Sequence, residues 1–225
     1  MIHPSFKMVA DRAVLVEFGT VVDDDTNRAV IALDQAIASN NITGIAEVIP
    51  AMVNLLVIFD PLKTTHEAIQ SAIEELLPID ATAEAVGNKH VVNICYEEQY
   101  SPDLETVANA CDMSVEAVIN AHISANYRVS MYGFVAGFAY LSGIPKDIQV
   151  PRKATPVRDI AAGSVLIAGP QCLTTTLIMP TGWSIIGRTD VQVITGDPDK
   201  PFLYDVGDTV TFRRIRSDEL ASDMQ

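Results

Sequence analysis

The sequence predicts an α+β protein of two domains, an N-terminal domain of sheet and helices followed by a C-terminal β-barrel. Its 225 residues exceed the roughly 100–200 residues of a typical domain. Strand and helix patterns alternate in the first part of the chain, whereas short β-rich runs separated by Gly and Pro dominate from about residue 128. These observations favour a boundary near residue 88, with domains at 1–88 and 89–225.

The N-terminal domain is predicted to follow the order strand, strand, helix, strand, strand, helix, which is typical of an α+β sandwich. The acidic run Asp23–Asp25 suits a helix start, because carboxylates complement the helix dipole. Behind it, Val30, Leu33 and Ile37 recur at helical spacing. The predicted strands are Ser5–Ala10, Ala13–Phe18, Ala46–Ile49 and Leu55–Asp60, and the second helix is Thr65–Leu77.

The C-terminal domain is predicted to begin with a strand, His90–Tyr96, and two short helices. Ser101 and Ser114 are typical N-cap residues for those helices, and Pro102 suits the first helical position. Several short strands at this spacing predict a closed or half-closed barrel. The β-rich runs are Ser164–Ala168, Thr174–Met179, Trp183–Ile186, Val191–Ile194 and Thr209–Arg213.

The composition excludes several classes of function. A net charge of −14 argues against binding to nucleic acid or to anionic membrane surfaces, both of which need basic patches. No apolar run approaches the roughly 18–20 residues of a membrane span. Cys95, Cys111 and Cys172 are widely spaced and form no CxxC pair, so neither a disulfide framework nor a zinc site is predicted. We expect a soluble cytoplasmic protein without a metal site.

The segment from Asn126 to Gly196 differs from the rest of the chain in charge and glycine content. It holds six basic and three acidic residues, a net charge of +3, while the remainder carries −17. It also contains eight of the twelve glycines. Fixed positive charge beside backbone that can approach closely suits an anion site. The alternative is that the barrel needs glycine at its corners and that the charge excess is accidental.

One candidate binding element in this segment is the turn that contains Gly133 and Gly137. Its G-x-x-x-G spacing fits neither a Walker A loop nor a Rossmann turn. One interpretation of this spacing is a stretch of backbone that comes close to a bound ligand. The other is a tight turn between strands, with Phe134, Phe138 and Tyr140 in the core. Both interpretations remain open from the residues alone.

The second candidate element is the basic loop Pro151–Pro156, which two prolines stiffen. An arginine held on such a loop, here Arg152, can bind a carboxylate or phosphate in bidentate fashion. The alternative is a solvated surface charge. Two further side chains could carry chemistry, His122 near a helix end and Cys172 after Gln171, but no neighbour in sequence predicts an activated imidazole or thiol.

Four ordered motifs between residues 132 and 189 resemble those of one known family. Tyr132–Leu141 is similar to GFxPGFxYL, and Pro151–Pro156 to PRxxTPR. Ala162–Gly169 is similar to AGSVxIAG, and Gly182–Thr189 to GGWxxIGRT. Near the N-terminus, Asp11–Gly19 resembles GDxAxLVEFG. On these motifs the chain is identified as a member of the allophanate-hydrolase-subunit-1-like family, and the resemblance covers nearly its whole length.

The resemblance implies a fold, a partner and an activity. The implied fold is an N-terminal α+β domain followed by a cyclophilin-like β-barrel of the carboxyltransferase C/D type. The family includes the B-type subunit of bacterial ATP-dependent 5-oxoprolinase and the Kip-type inhibitor of a sporulation histidine kinase. The implied partner is an allophanate-hydrolase-subunit-2-like protein, similar to the C-type subunit of 5-oxoprolinase. With ATP and Mg as co-substrate, such a pair activates the lactam of 5-oxoproline, and a third component completes ring opening to glutamate.

The resemblance also implies the site residues. Arg152 and Arg188 are candidate anion binders, because a substrate bearing phosphate and carboxylate needs fixed cations. His122 matches the helix-terminal His of the family and is a candidate acid or base, and Gln171 completes the implied catalytic set. The implied substrate-binding residues are Gly133, Phe134, Gly137, Phe138, Thr155, Pro156 and Arg158.

The chain departs from the family pattern at several positions. The differing residues are Met52, Val53, Ala136, Val157 and Cys172–Thr176. These departures motivate two alternatives, a regulatory inhibitor of a histidine kinase and a divergent allophanate- or urea-type amide-processing subunit. Because the ordered motifs are specific together, we expect a subunit of an ATP-dependent amidohydrolase that is inactive without its partner.

Overall fold

The computed structural model describes residues 3–79 and 87–220 and divides into two compact units, Met1–Val86 and Gly87–Gln225. The first unit combines a sheet with helices, and the second contains a closed barrel. The predicted α+β class is therefore confirmed.

The first unit is an antiparallel sheet with two helices. Its elements are β1 (Ser5–Val9), β2 (Ala13–Glu17), α1 (Asp24–Asn40), β3 (Ile45–Pro50), β4 (Asn54–Phe59) and α2 (His66–Glu74). Within residues 3–79 the strand order is β1-β2-β4-β3. Alternate side chains of the central strands, such as Val14, Val16, Leu55 and Val57, form one buried cluster with the apolar face of α1. This alternation is the period-two pattern of a sheet with one face on the core.

Side chains set the starts of both helices. Asp23 precedes α1, and its carboxylate accepts a hydrogen bond from the Thr26 N–H at 2.8 Å. Thr65 precedes α2, and its hydroxyl accepts one from the Ala68 N–H at 3.3 Å. Both predicted helices are confirmed. The second is shorter than predicted, because beyond Glu74 the Leu76 and Leu77 N–H groups bond three residues back and tighten the last turn.

The second unit is built on a barrel with two short helices. Its helices are α3 (Leu104–Ala110) and α4 (Val115–Ser124), with 3-10 turns at Glu98–Tyr100, Lys146–Ile148 and Ser217–Glu219. Its strands are β5 (Lys89–Cys95), β6 (Tyr127–Tyr132), β7 (Ala139–Ser142), β8 (Val157–Ile160), β9 (Ser164–Ala168), β10 (Gln171–Thr174), β11 (Met179–Thr181), β12 (Ser184–Arg188) and β13 (Thr209–Ile215).

Within residues 87–220, seven of these strands close into a barrel in the order β10-β7-β6-β13-β5-β12-β9. The first and last strands of the barrel, β5 and β13, pair in parallel over seven residues, from Lys89 with Thr209 to Cys95 with Ile215. The remaining two strands, β8 and β11, form a separate two-stranded ribbon. The predicted barrel is confirmed as a closed one.

The barrel wall separates two apolar clusters. Val165 and Ile167 of β9 belong to the inner cluster, together with side chains from α3 and α4. Leu166 and Ala168 of the same strand belong to an outer cluster, which includes Ile160 and Met179 of the ribbon. Because side chains alternate across a strand, β9 is buried on both faces. The outer cluster is where the candidate site lies.

The predicted cap of α3 is wrong. That helix begins at Leu104, not at Pro102, because the Ser101 hydroxyl does not accept a helix N–H. It instead donates to the carbonyl oxygens of Tyr96 at 2.8 Å and Glu97 at 3.0 Å. The Ser114 cap of α4 is confirmed, since its hydroxyl accepts a hydrogen bond from the Ala117 N–H at 3.1 Å.

Two predicted strands are also wrong. The run Thr174–Met179 is divided between β10 and β11, because the hydroxyl of Thr175 bonds to Ala161 O and that of Thr176 to Ala136 O, each at 2.9 Å. These hydrogen bonds hold the segment as a loop, whereas the sequence predicts a continuous β-strand. The run Val191–Ile194 is a loop that forms one isolated bridge, from Ile194 to Phe202.

Candidate functional site

Arg152 is the predicted site residue that the structure positions most clearly. The carbon of its guanidinium lies 5.5 Å from the centroid of the Trp183 ring, within cation–π range. Within the described part of the chain no carboxylate forms an ion pair with it. The guanidinium is therefore oriented by an aromatic face and keeps donor groups for an anion.

The loop that carries Arg152 is anchored by its neighbour Lys153. The Lys153 N–H donates to Gly182 O at 2.6 Å, and its ammonium pairs with the Asp103 carboxylate at 2.5 Å. The same carboxylate oxygen accepts the Ile185 N–H at 2.7 Å. Asp103 thus joins the start of α3, the basic loop and β12 at one point. Local sequence patterns do not predict this anchor, because the three segments lie far apart in the chain.

An aromatic row extends from Arg152 along the outer cluster. We define the aromatic row as Phe134, Phe138, Tyr140 and Trp183. Neighbouring ring centroids lie 5.5, 5.8 and 6.0 Å apart in that order. Phe138 and Trp183 are buried, whereas Phe134 at one end is 73 % exposed. Three predicted site residues therefore lie along one line, Phe134 and Phe138 within the row and Arg152 on Trp183 at its end. Tyr140 and Trp183 were not among the predicted site residues.

The turn between β6 and β7 agrees in part with the tight-turn interpretation of its sequence. Phe138 lies in the core as that interpretation predicts, but Phe134 lies at the surface. Gly137 has a φ of 75°, and a Cβ there would lie 2.8 Å from Ile194 Cγ1. The absence of a side chain at Gly137 thus serves packing between two loops. At Gly133 a Cβ would meet Met131 Cε at 3.1 Å.

His122 lies inside the second unit, with an exposed fraction of 0 %. Its Nδ1 shares a hydrogen bond of 2.6 Å with the Tyr96 hydroxyl, and its ring packs 4.7 Å from that of Phe212. The Tyr127 hydroxyl donates to the carbonyl oxygen of His122 at 3.0 Å. Burial lowers the pKa of His122 to about 3, so the imidazole is neutral at pH 7. This geometry favours a structural role over the predicted acid or base role.

Cys172 and Gln171 begin β10. The Cys172 sulfur lies 3.7 Å from His122 Nε2 in the inner cluster, and burial raises the pKa of its thiol far above the ordinary range. The thiol therefore stays protonated and is not an activated nucleophile. Gln171 is half-buried and pairs through its backbone with Ser142 and Ala168.

Arg188 lies at the other end of β12 from Trp183, about 16 Å away along the strand at the usual rise per residue. The carbon of its guanidinium lies 5.9 Å from the Tyr100 ring centroid. The structure thus separates the two predicted anion binders. Of the other implied substrate-binding residues, Thr155, Pro156 and Arg158 are exposed on and before β8.

A small cavity lies between residues 162–163, 175–176 and 191–194. Its volume is about 50 Å³, which admits a few water molecules and is far below the roughly 300–1,000 Å³ of a ligand pocket. Among residues 3–79 and 87–220 there is no cluster of three or more His, Cys, Asp or Glu side chains that could hold a metal. No helix of the described chain is long and apolar enough to span a membrane.

Known proteins resemble this chain over most of its length. The family model of the carboxyltransferase domain, subdomain C and D, matches residues 4–204. The B subunit of 5-oxoprolinase from Bacillus subtilis (strain 168) is 34% identical over 93% of this chain and 92% of its own. The same protein from Escherichia coli O157:H7 is 32% identical over 91% and 93%.

A solved structure extends the likeness to the fold. The protein TTHA0988 superposes with a TM-score of 0.79 at 28% identity, covering 91% of this chain. The chain spans only 40% of the length of that solved protein. The family match, the near full-length relatives and the shared fold agree with the motifs around Arg152 and Trp183. The chain belongs to the carboxyltransferase-domain family, subdomain C and D.

Proposed function

We propose that the chain is the B-type subunit of a cytoplasmic, ATP-dependent 5-oxoprolinase and acts with a C-type partner subunit. The observation that carries this proposal is the identity of 34% and 32% to two proteins named as B subunits of 5-oxoprolinase, over more than 90% of each chain. Matches over more than nine-tenths of both chains support a shared overall organisation. The name of these relatives also supports a complex of several subunits.

The chemistry of the proposed reaction matches the residues around Arg152. A lactam is a poor electrophile, and transfer of a phosphoryl group from ATP, with Mg²⁺, to its oxygen creates a leaving group. The reacting groups carry phosphate and carboxylate charge, which fixed donors stabilise best when they are oriented in advance. Arg152, stacked on Trp183, is such a donor. Its planar guanidinium suits both phosphate and carboxylate oxygens.

Co-expression with a protein that resembles the C-type subunit tests the proposal. We expect a stable complex whose ATP hydrolysis rises when 5-oxoproline is added, because the lactam is the phosphoryl acceptor. A complex without stimulation would contradict 5-oxoproline as its substrate. A chain that forms no complex and hydrolyses no ATP with any such partner would contradict the proposal.

Replacing Arg152 with Ala should raise the KM of that complex for its anionic substrates about 10- to 100-fold, since a charged hydrogen bond contributes about 1.5–3 kcal/mol. The melting temperature should stay nearly constant, because the side chain is exposed. Arg213→Ala, which removes an exposed arginine from β13, is the matched control and should leave KM unchanged.

The same measurement on Arg188→Ala locates the ligand. If one ligand reaches both ends of β12, KM should rise in both variants. An unchanged KM for Arg188→Ala would place the ligand at the Trp183 end alone. A large loss of stability with unchanged KM would mark either arginine as structural.

A further inference from the structure

Asp103 occupies the edge of β12 close to Trp183. On one side β12 pairs with β9, and on the other side it meets β5 at its last residue, where Arg188 pairs with Cys95. Two residues after Trp183, the backbone groups of Ile185 are bonded by Asp103 instead. The Asp103 N–H donates to Ile185 O at 3.1 Å, and the Asp103 carboxylate accepts the Ile185 N–H at 2.7 Å. Asp103 thus takes the place of a neighbouring strand at this point.

The start of α3 gives Asp103 a fixed position. Leu104 and Val107, which follow it, are 3 % and 0 % exposed and belong to the inner cluster. The Val107 N–H donates to Asp103 O at 2.9 Å, the first backbone bond of the helix. Because the helix packs on the core, its first carboxylate is held by a rigid element, which orients a neighbour more accurately than a loop does.

The basic loop depends on Lys153 for its own position. Of residues 151–156, Lys153 is partly buried and the other five are exposed, so burial of side chains does not hold the loop. The Lys153 N–H is bonded to Gly182 O, and its ammonium is paired with the Asp103 carboxylate. The two side chains of that pair are 21 % and 20 % exposed, so solvent and salt screen the pair less than a surface ion pair.

Arg152 is the residue that this anchoring affects most directly. Arg152 precedes Lys153 and Trp183 follows Gly182, so the backbone hydrogen bond joins the immediate neighbours of the guanidinium and the indole. A cation–π contact at an exposed site is weak beside the rotamer entropy of an arginine side chain. The contact between Arg152 and Trp183 therefore needs a loop that is already in place.

We propose that Asp103 is a positioning residue of the Arg152 site. Its carboxylate holds Lys153, and through Lys153 it keeps the Arg152 guanidinium on the face of Trp183, where an anionic group of the substrate binds. This role rests on the proposed function, because that function makes Arg152 the donor to phosphate or carboxylate. Asp103 acts through Lys153 and not by contact with the substrate.

The fluorescence of Trp183, the only tryptophan in the sequence, tests this geometry in the isolated chain without a ligand. Asp103→Asn keeps an oxygen that accepts the Ile185 N–H but removes the charge that holds Lys153. Lys153→Met removes the ammonium and keeps the backbone bond of the loop. Each variant should raise the acrylamide quenching constant of Trp183 about twofold, since local opening of the loop uncovers an indole that is 6 % exposed.

Kinetics of the complex with the C-type subunit test the function. Asp103→Asn should raise KM about tenfold, because displacement of a binding group by about 1 Å is sufficient for an effect of this size. In an Arg152→Ala background the same substitution should change KM little further, since residues that act through one group are not additive.

Glu116→Gln is the matched control. It also removes one carboxylate from an ion pair of the second unit, with Arg214 at 2.8 Å, but that pair lies on α4 and β13. Both the quenching constant and KM should stay at the wild-type values.

The possible outcomes separate the positioning role from the proposed function. Raised quenching in both variants, with KM effects that do not add to that of Arg152→Ala, supports the role. Unchanged quenching in both variants overturns it, whatever the melting temperatures, and leaves the proposed function standing. KM effects that add to that of Arg152→Ala overturn the route through Arg152. A wild-type complex without turnover overturns the proposed function, while the quenching of Trp183 still decides whether Asp103 holds the loop.

Discussion

Replacing His122 with Ala is expected to lower the free energy of unfolding of the second unit by about 3–4 kcal/mol. The change empties space in the inner cluster and leaves the buried Tyr96 hydroxyl without its 2.6 Å partner. Urea unfolding at pH 7.5 measures the loss. Asn120→Ala, on the exposed side of α4, is the control and should cost less than 1 kcal/mol.

The pH dependence of stability should change in the same variant. The pKa of His122 is about 3 in the folded protein, because burial disfavours its charged form, and about 6.5 in the unfolded chain. Above pH 6.5 the imidazole is neutral in both the folded and the unfolded state. As the pH falls from 6.5 toward 3, only the unfolded chain binds the proton, so the free energy of unfolding decreases. At pH 5 this contributes about 2 kcal/mol of loss, which His122→Ala should lack.

Two results would contradict the structural role of His122. One is an identical pH dependence in the wild type and the variant. The other is unchanged stability with lost turnover of the complex, which would restore the predicted acid or base role.

Replacing Gly143 with Ala is expected to be the most damaging single-methyl change in the barrel, with a loss of about 3–5 kcal/mol. Gly143 follows β7 with a φ of 110°, and a Cβ there would lie 2.5 Å from the backbone oxygen of Asn126. Backbone cannot rotate away as a side chain can, so β6 and β7 would have to move. Chemical unfolding, or the yield of folded protein, measures the effect.

Gly169→Ala separates the steric effect from the conformational one. Gly169 also has a positive φ, 54°, but a Cβ there meets nothing within 4 Å. This control should lose only the cost of a left-handed backbone, about 1–2 kcal/mol. Equal losses at Gly143 and Gly169 would show that close approach to Asn126 is not the cause.

The glycine-rich segment illustrates how far the sequence could predict the site. Its glycines indicated either an anion site or tight barrel packing, and Gly137 and Gly143 serve packing. The arginine on the stiff loop was recognised, but its stacking on Trp183 was not, since the two lie on segments that only the barrel brings together. Contacts of this kind depend on tertiary structure, which local patterns do not contain.

The elements were predictable where one periodicity dominated. In the first unit, apolar residues recur about every 3.6 residues along the helices and every second residue along the strands. These elements lie where they are predicted, except that the second helix ends earlier. The run Thr174–Met179 has the composition of a strand. The strand nevertheless stops at Thr174, because the Thr175 and Thr176 hydroxyls donate hydrogen bonds to distant loops. The tight-turn interpretation places Phe134 in the core, whereas the residue has a φ of 73° and its side chain lies at the surface.

The parallel pairing of β5 with β13 governs how the barrel is made during synthesis. Paired residues of these strands are 120 positions apart, so the ring cannot close until the ribosome has released the last strand. Until then β5 and β6 each present an open edge, and such edges invite aggregation. Contacts of such long range also slow folding. A chain that terminates before residue 209 would therefore lack the strand that closes the barrel, and chaperones that shield strand edges would act on this protein before β13 emerges from the ribosome.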